Sequence, residues 1–152
     1  TRLAWPAGLH AAALFTGASA STVKAIAKPL SAATIAGIGG ATNDLIDAWR
    51  RADAAHILAA LRACEAAFDR AAKERPWLLP PHVDEVRQVI FDHGCQPRVS
   101  GAGGGDCILA FSDTEGDLAA LLRHWRAAGR VRARLPALAA ARPAAALPKA
   151  LD

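Results

Sequence analysis

The sequence predicts an α+β domain: a four-stranded, mainly antiparallel sheet with its helices packed on one face. Three observations lead there. The chain has 152 residues, the size of one domain with one core. Hydrophobic residues make up 53% and aromatics only 5%, so alanine-rich helices must supply much of the buried area. Short apolar runs and helical stripes follow one another in the order β, helices, β, β, α, β, which suits a sheet covered by helices.

Leu9 to Thr16 is a short apolar run stopped by Gly17, as in a buried strand. Ser19, Ser21 and Thr22 are helix-capping types ahead of Val23, Ile26, Ala27 and Leu30, so a helix is expected to begin near Ser21 and to be limited or kinked by Pro29. Ile35 to Gly40 reads as a flexible connection. From Asn43 a helical stripe runs through Leu45, Ile46, Trp49, Ile57, Leu58, Leu61, Cys64, Phe68 and Ala71, which predicts one long helix ending near Arg75-Pro76. Pro80-Pro81 opens another helix, with Val83, Val86, Val89 and Ile90 inward, and Gly94 stops it.

Pro97 to Ser100 forms one short strand. Cys107 to Phe111 forms another, apolar enough to be buried on both faces. Between them lies a glycine loop. Thr114 and Asp117 suggest a capping box for a helix carrying Leu118, Leu121, Leu122 and Trp125 inward and closed by Gly129. Arg130 to Leu135 alternates with period two, a strand whose arginines face water. Residues 1–136 are read as the domain, and the Ala/Pro-rich stretch 137–152 as an extended or loosely docked tail.

The 18 Lys and Arg against 14 Asp and Glu give a formal charge of +4. The arginines are spread along the helices beside acids, as at Asp47, Arg50, Arg51 and Asp53, which argues for solvated helix faces and against a nucleic-acid partner. Cys64, Cys95 and Cys107 are odd in number and not closely spaced, so no disulfide framework is expected and a reducing cytoplasm is the natural compartment. No apolar run reaches about 18 residues, so no membrane partner is expected. Methionine is absent, position 1 included, which predicts a piece of a longer protein.

The stretch Ser100, Gly101, Ala102, Gly103, Gly104, Gly105 and Asp106 carries the most chemistry. Glycines lose the most backbone entropy on ordering, so such a cluster belongs where the main chain must turn sharply or let a ligand approach it. Successive bare N–H groups make an anion-binding concavity. Composition alone also leaves a long floppy hairpin turn open. A Walker loop is excluded because no Gly-Lys-Ser/Thr ending follows, and a dinucleotide fingerprint because a strand rather than a helix comes next. At Ser19, Ser21 and Thr22, hydroxyls and free amides at a helix start suit a phosphate; plain N-capping explains Ser21 as well.

Other constellations are weaker. Gly17, Ser19 and Ser21 lack the second glycine of a hydrolase nucleophile elbow, with His10 or His124 as unproven bases. His93 and Cys95 lack metal-ligand company, and no metal ligands are assigned. Asp44 with Asp47, and Asp84 with Glu85, read as helix-end charges. Trp49, Trp77 and Trp125 read as filler of the core or a groove.

Arg98-Val99 followed by Ser100 to Cys107 resembles the third motif of the galactokinase, homoserine kinase, mevalonate kinase and phosphomevalonate kinase (GHMP) superfamily, a Ser/Thr-Gly-Ala-Gly-Gly-Gly-Asp/Gly-Cys loop between two strands. The Asp-Cys ending looks most like phosphomevalonate kinases, where Lys-Pro often precedes the Ser; Arg98 and Val99 stand there, and arginine offers a planar fork in place of a point charge. Phe15-Thr16-Gly17 through Ser19, Ser21 and Thr22 is similar to the Trp-Thr-Gly-x-x-Ala-Ser-Thr of the same branch, with Phe15 replacing Trp.

This resemblance implies the ferredoxin-like C-terminal domain of an ATP-dependent small-molecule kinase, with the N-terminal ATP-binding domain absent from this chain. It implies a phosphate-binding loop at Ser100, Gly101, Ala102, Gly103, Gly104, Gly105 and Asp106, and a substrate site at Ser19, Ser21, Thr22 and Arg98. No catalytic residue is expected in this chain. ATP and Mg²⁺ belong to the intact enzyme and neither is expected on this chain alone. The implied partners are a small phosphorylated substrate, the N-terminal kinase domain and, across an exposed apolar seam, a second copy forming a homodimer. By itself the chain is expected to be inactive. The competing expectation is a non-catalytic ligand-binding or interaction module that kept the fold.

Overall fold

A computed structural model describes residues 5–17, 29–100 and 106–129, together with the main chain of 132–135. Strand β1 spans His10–Phe15, helix α1 Ala32–Arg51, helix α2 Ala54–Glu74, a 3-10 turn Pro76–Leu78, helix α3 Pro81–Asp92, strand β2 Gln96–Val99, strand β3 Cys107–Ser112, helix α4 Glu115–Ala127 and strand β4 Arg132–Leu135. The strands lie in the order β2-β3-β1-β4 with every pairing antiparallel. The first strand of the chain is therefore central, next to β3.

Register determines which side chains share a face, because opposite residues point the same way and neighbours alternate. Ala12 pairs with Ala110, Leu14 with Ile108, and Val99 with Ile108. These form one buried cluster with Val83, Val86 and Ile90 of α3 and Leu118, Leu121 and Trp125 of α4. Ala11 pairs with Phe111, and this other face joins Leu9, Ala48 of α1 and Ile57, Leu58 and Leu61 of α2 in a second cluster. The expectation of helices on one face is thus corrected: α3 and α4 cover one side while α1 and α2 reach the other. The reason is in β3, where both alternating sets are apolar and a single helical layer would leave Leu109 and Phe111 in water.

Two helix boundaries also differ from expectation. Ile35 to Gly40 is no connection but the body of α1. Ser31 caps that helix by accepting from the Thr34 amide, and the Glu74 carboxylate at the end of α2 accepts from the Ser31 amide, the Ser31 hydroxyl and the Thr34 hydroxyl. Anchorage of its N-terminal end and packing along α2 offset the roughly 1 kcal/mol that each helical glycine costs relative to alanine. The single long helix expected from Asn43 is broken at Ala52, which turns left-handed at φ 54°, ψ 36°. Asp53 then starts α2 by accepting from the His56 amide. Apolar periodicity continues across the break because both helices turn the same kind of face inward.

The remaining elements follow the pattern more closely. Gly94 ends α3 at φ 71° and Gly129 follows α4 at φ 68°. Thr114 sits at the N-cap of α4, but its side chain makes no capping bond. Its hydroxyl bonds Asp113 while its amide donates to Ser112 Oγ, so the expected capping box with Asp117 is not formed. Ahead of β1, Trp5 donates to the Leu9 carbonyl at 2.6 Å and meets Trp49 edge-on at 5.3 Å between ring centroids. The helix expected near Ser21, the orientation of the β4 arginines and the 137–152 tail lie outside the described residues.

Candidate functional site

Three strand ends converge at one edge of the sheet. The β1–β3 ladder ends at Phe15 opposite Cys107, and β2–β3 at Val99 opposite Ile108. Each extends one step further: the Ser100 amide donates to the Cys107 carbonyl at 3.2 Å, and the Thr16 amide donates to the Asp106 carbonyl at 3.0 Å. The Thr16 hydroxyl donates to the same carbonyl at 3.3 Å. Ser100 and Asp106, the two ends of the glycine loop, are therefore fixed beside the turn at Thr16-Gly17, where Gly17 takes φ 85°. Gly101, Ala102, Gly103, Gly104 and Gly105, like Ser19, Ser21 and Thr22, lie outside the described residues.

Arg98 pairs with Leu109 on β3 and so shares a sheet face with Cys107 and Phe15. Phe15 is exposed. Arg98 Nη1 stands 3.6 Å from Glu65 Oε1, and behind it a cavity of about 30 Å³ is lined by Ile38, Thr42, Cys64, Ala67 and Phe68. Glu65, on α2, has a side chain only 4% exposed. Its Oε2 accepts from Arg87 Nε at 2.9 Å, and Arg87 also reaches Asp69 at 2.7 Å and Asp84 at 3.2 Å. Burial pushes the Glu65 carboxyl up from its ordinary value, against the opposing pull of Arg87 and Arg98.

Sequence reasoning singled out Arg98 but missed Glu65, Asp69 and Arg87. The available signal was a charge on an apolar stripe: Glu65 follows Leu61 by four residues, and Arg87 follows Val83 by four.

The other candidates have structural roles. Cys64, Cys95 and Cys107 are free thiols. Burial raises all three, Cys95 to about 11, so none is an activated thiolate nucleophile. His93 Nδ1 bonds the Val89 carbonyl at 2.8 Å within the last turn of α3, and its ring lies 4.9 Å from that of His124. Asp47 pairs with Arg50 and Asp84 with Arg87. A groove of about 590 Å³ runs between α2 and α3 past Asp69, Lys73, Gln88 and Phe91. It contains no residue of the convergent strand ends. No described helix is long and apolar enough to cross a membrane.

The family model for the C-terminal region of GHMP kinases matches residues 52–131. Among solved structures, Streptococcus pneumoniae phosphomevalonate kinase aligns at 19% identity with a TM-score of 0.68, covering 86% of this chain and 42% of that one. The same enzyme in complex with phosphomevalonate and AMPPNP aligns at 16% and 0.67, covering 86% and 41%. Leishmania major mevalonate kinase in complex with R-mevalonate aligns at 15% and 0.68, covering 90% and 45%. The chain spans less than half the length of each of these structures. No curated protein gives a significant match.

Proposed function

The chain belongs to the GHMP kinases as their C-terminal domain, and from that premise we propose that it forms the acceptor-side half of an ATP-dependent small-molecule kinase. The reaction transfers the γ-phosphoryl group of ATP to a small metabolite, itself phosphorylated as in the phosphomevalonate kinase branch. One observation carries this reading. Asp106 at the close of the glycine loop and Thr16 at the head of the Ser19-Ser21-Thr22 segment share hydrogen bonds, so both phosphate-suited stretches open from one place.

In this reading the amides of Gly101 to Asp106 shape the phosphate pocket, while Ser19, Ser21, Thr22 and Arg98 hold the acceptor's anionic group. Among the described residues, Arg98 supplies a cation at this edge and Ser100 a hydroxyl, which suits an anion's oxygens. ATP, bound with Mg²⁺ in the intact enzyme, brings the transferable phosphoryl group. Transfer depends on positioning and charge neutralisation from both sides. An N-terminal kinase domain is accordingly the required partner, and the chain alone does not turn substrate over.

The test is Gly103→Val or Gly104→Val in the full-length protein. A side chain there blocks close approach of the backbone, so kcat falls by about a hundredfold or more while the domain stays folded. Near-normal turnover overturns the loop assignment and favours a binding module without chemistry.

A further inference from the structure

Glu65 is an expensive residue to bury. Its side chain is 4% exposed, and such a carboxylate is tolerated only where cations and hydrogen bonds compensate it. Arg87 satisfies Oε2. Oε1 has no hydrogen-bond partner, and Arg98 Nη1 faces it at 3.6 Å, within ion-pair reach but too long for a hydrogen bond.

Arg87 is committed elsewhere, with carboxylates of Glu65, Asp69 and Asp84 around its guanidinium. Arg98 differs. Its side chain is 30% exposed, it stands two residues before the glycine loop, and Glu65 is the acidic partner it has among the described residues. One oxygen of a rigid, buried carboxylate thus points at a half-open guanidinium and leaves most of its fork of donors free for a second anion.

We propose that Glu65 is a positioning residue: from its buried seat on α2 it holds the Arg98 guanidinium at the base of the glycine loop, ready to bind an anionic group of the acceptor. This rests on the kinase reading above and adds to it a residue that does not itself touch substrate. Arg87 anchors the carboxylate and Glu65 orients Arg98, much as outer-shell partners orient the groups that contact a ligand.

The experiment is a double-mutant cycle on acceptor KM in the full-length kinase. Glu65→Gln keeps the shape and removes the charge; it is expected to raise acceptor KM roughly five- to tenfold while ATP KM is unchanged. In an Arg98→Ala background, the same substitution is expected to add nothing. If Glu65→Gln raises acceptor KM equally with and without Arg98, or leaves it unchanged while Arg98→Ala raises it, the positioning role is wrong and the site reading survives. If Arg98→Ala itself leaves acceptor KM unchanged, the site reading fails. Should Glu65→Gln not fold, E65M/R87M removes the buried pair together, and the same increase in acceptor KM, absent when Arg98→Ala is added, is expected of it. An unchanged acceptor KM in that variant overturns the role.

Discussion

Thr16 and Asp106 lie ninety residues apart in sequence, yet the hydroxyl and amide of the first both donate to the carbonyl of the second. A backbone oxygen at the end of a glycine-rich loop is thereby fixed by a residue at the end of the first strand. Two segments that are each too short to specify a site become one place.

Removing half of that link tests how much the loop depends on it. Thr16→Val keeps the strand and the amide bond but loses the hydroxyl, and it should cost about 1 kcal/mol in urea unfolding. On the proposed kinase reading, kcat of the full-length protein should fall roughly tenfold as the loop loses its fixed end. A variant that loses the stability but keeps the turnover would show that the loop is held from elsewhere.

The Glu65–Arg87 pair gives a prediction that depends on pH. Arg87→Met strands a buried carboxylate and should cost about 3–5 kcal/mol, whereas the paired replacement E65M/R87M should cost much less. Burial raises the folded-state pKa of Glu65 above the ordinary value of 4.5. The folded protein therefore binds that proton more tightly than the unfolded chain, and its ionisation costs stability as pH rises from the ordinary value through the raised one. With Arg87 gone, that span widens, so the deficit should shrink on acidification through it. Urea midpoints measured from acid to neutral pH check this; a deficit independent of pH would place the cost in packing.

Ala52 adopts φ 54° between α1 and α2, a region in which a Cβ is strained and glycine is not. Ala52→Gly should therefore stabilise the domain by about 0.5–1 kcal/mol, after allowing for the extra freedom glycine gives the unfolded chain. Thermal unfolding of the pair of proteins decides it, and a lower midpoint for the glycine variant would mean that the methyl group contributes contacts outweighing the strain.

Ala52 also shows where sequence reading runs out. The strands, α3 and α4 are legible because their apolar residues recur at one period and stop at glycine or proline. The break at Ala52 leaves no such mark, since alanine is the best helix former and the apolar stripe resumes in phase after Asp53. The glycines of α1 mislead in the opposite direction: local propensity argues for a connection at Gly37 to Gly40, and the anchoring by Glu74, more than thirty residues away, decides otherwise. At the site, Arg98 and the glycine loop are visible as a motif. Glu65 is not, because its importance comes from the tertiary approach of α2 to β2. The one-face arrangement failed for a reason the residues did contain, since the apolar run Cys107 to Phe111 in β3 requires cover on both sides.

The pairing of β1 with β3 has a consequence for how the protein is made. β1 leaves the ribosome long before β3 exists, and its central place in the sheet stays vacant until residues 16–106 have been synthesised and their helices have begun to pack. Closing so distant a pair is slow on entropic grounds. A nascent chain halted before Cys107 carries an apolar strand with nothing to zip against, which makes the growing polypeptide a natural client for chaperones that shield such segments.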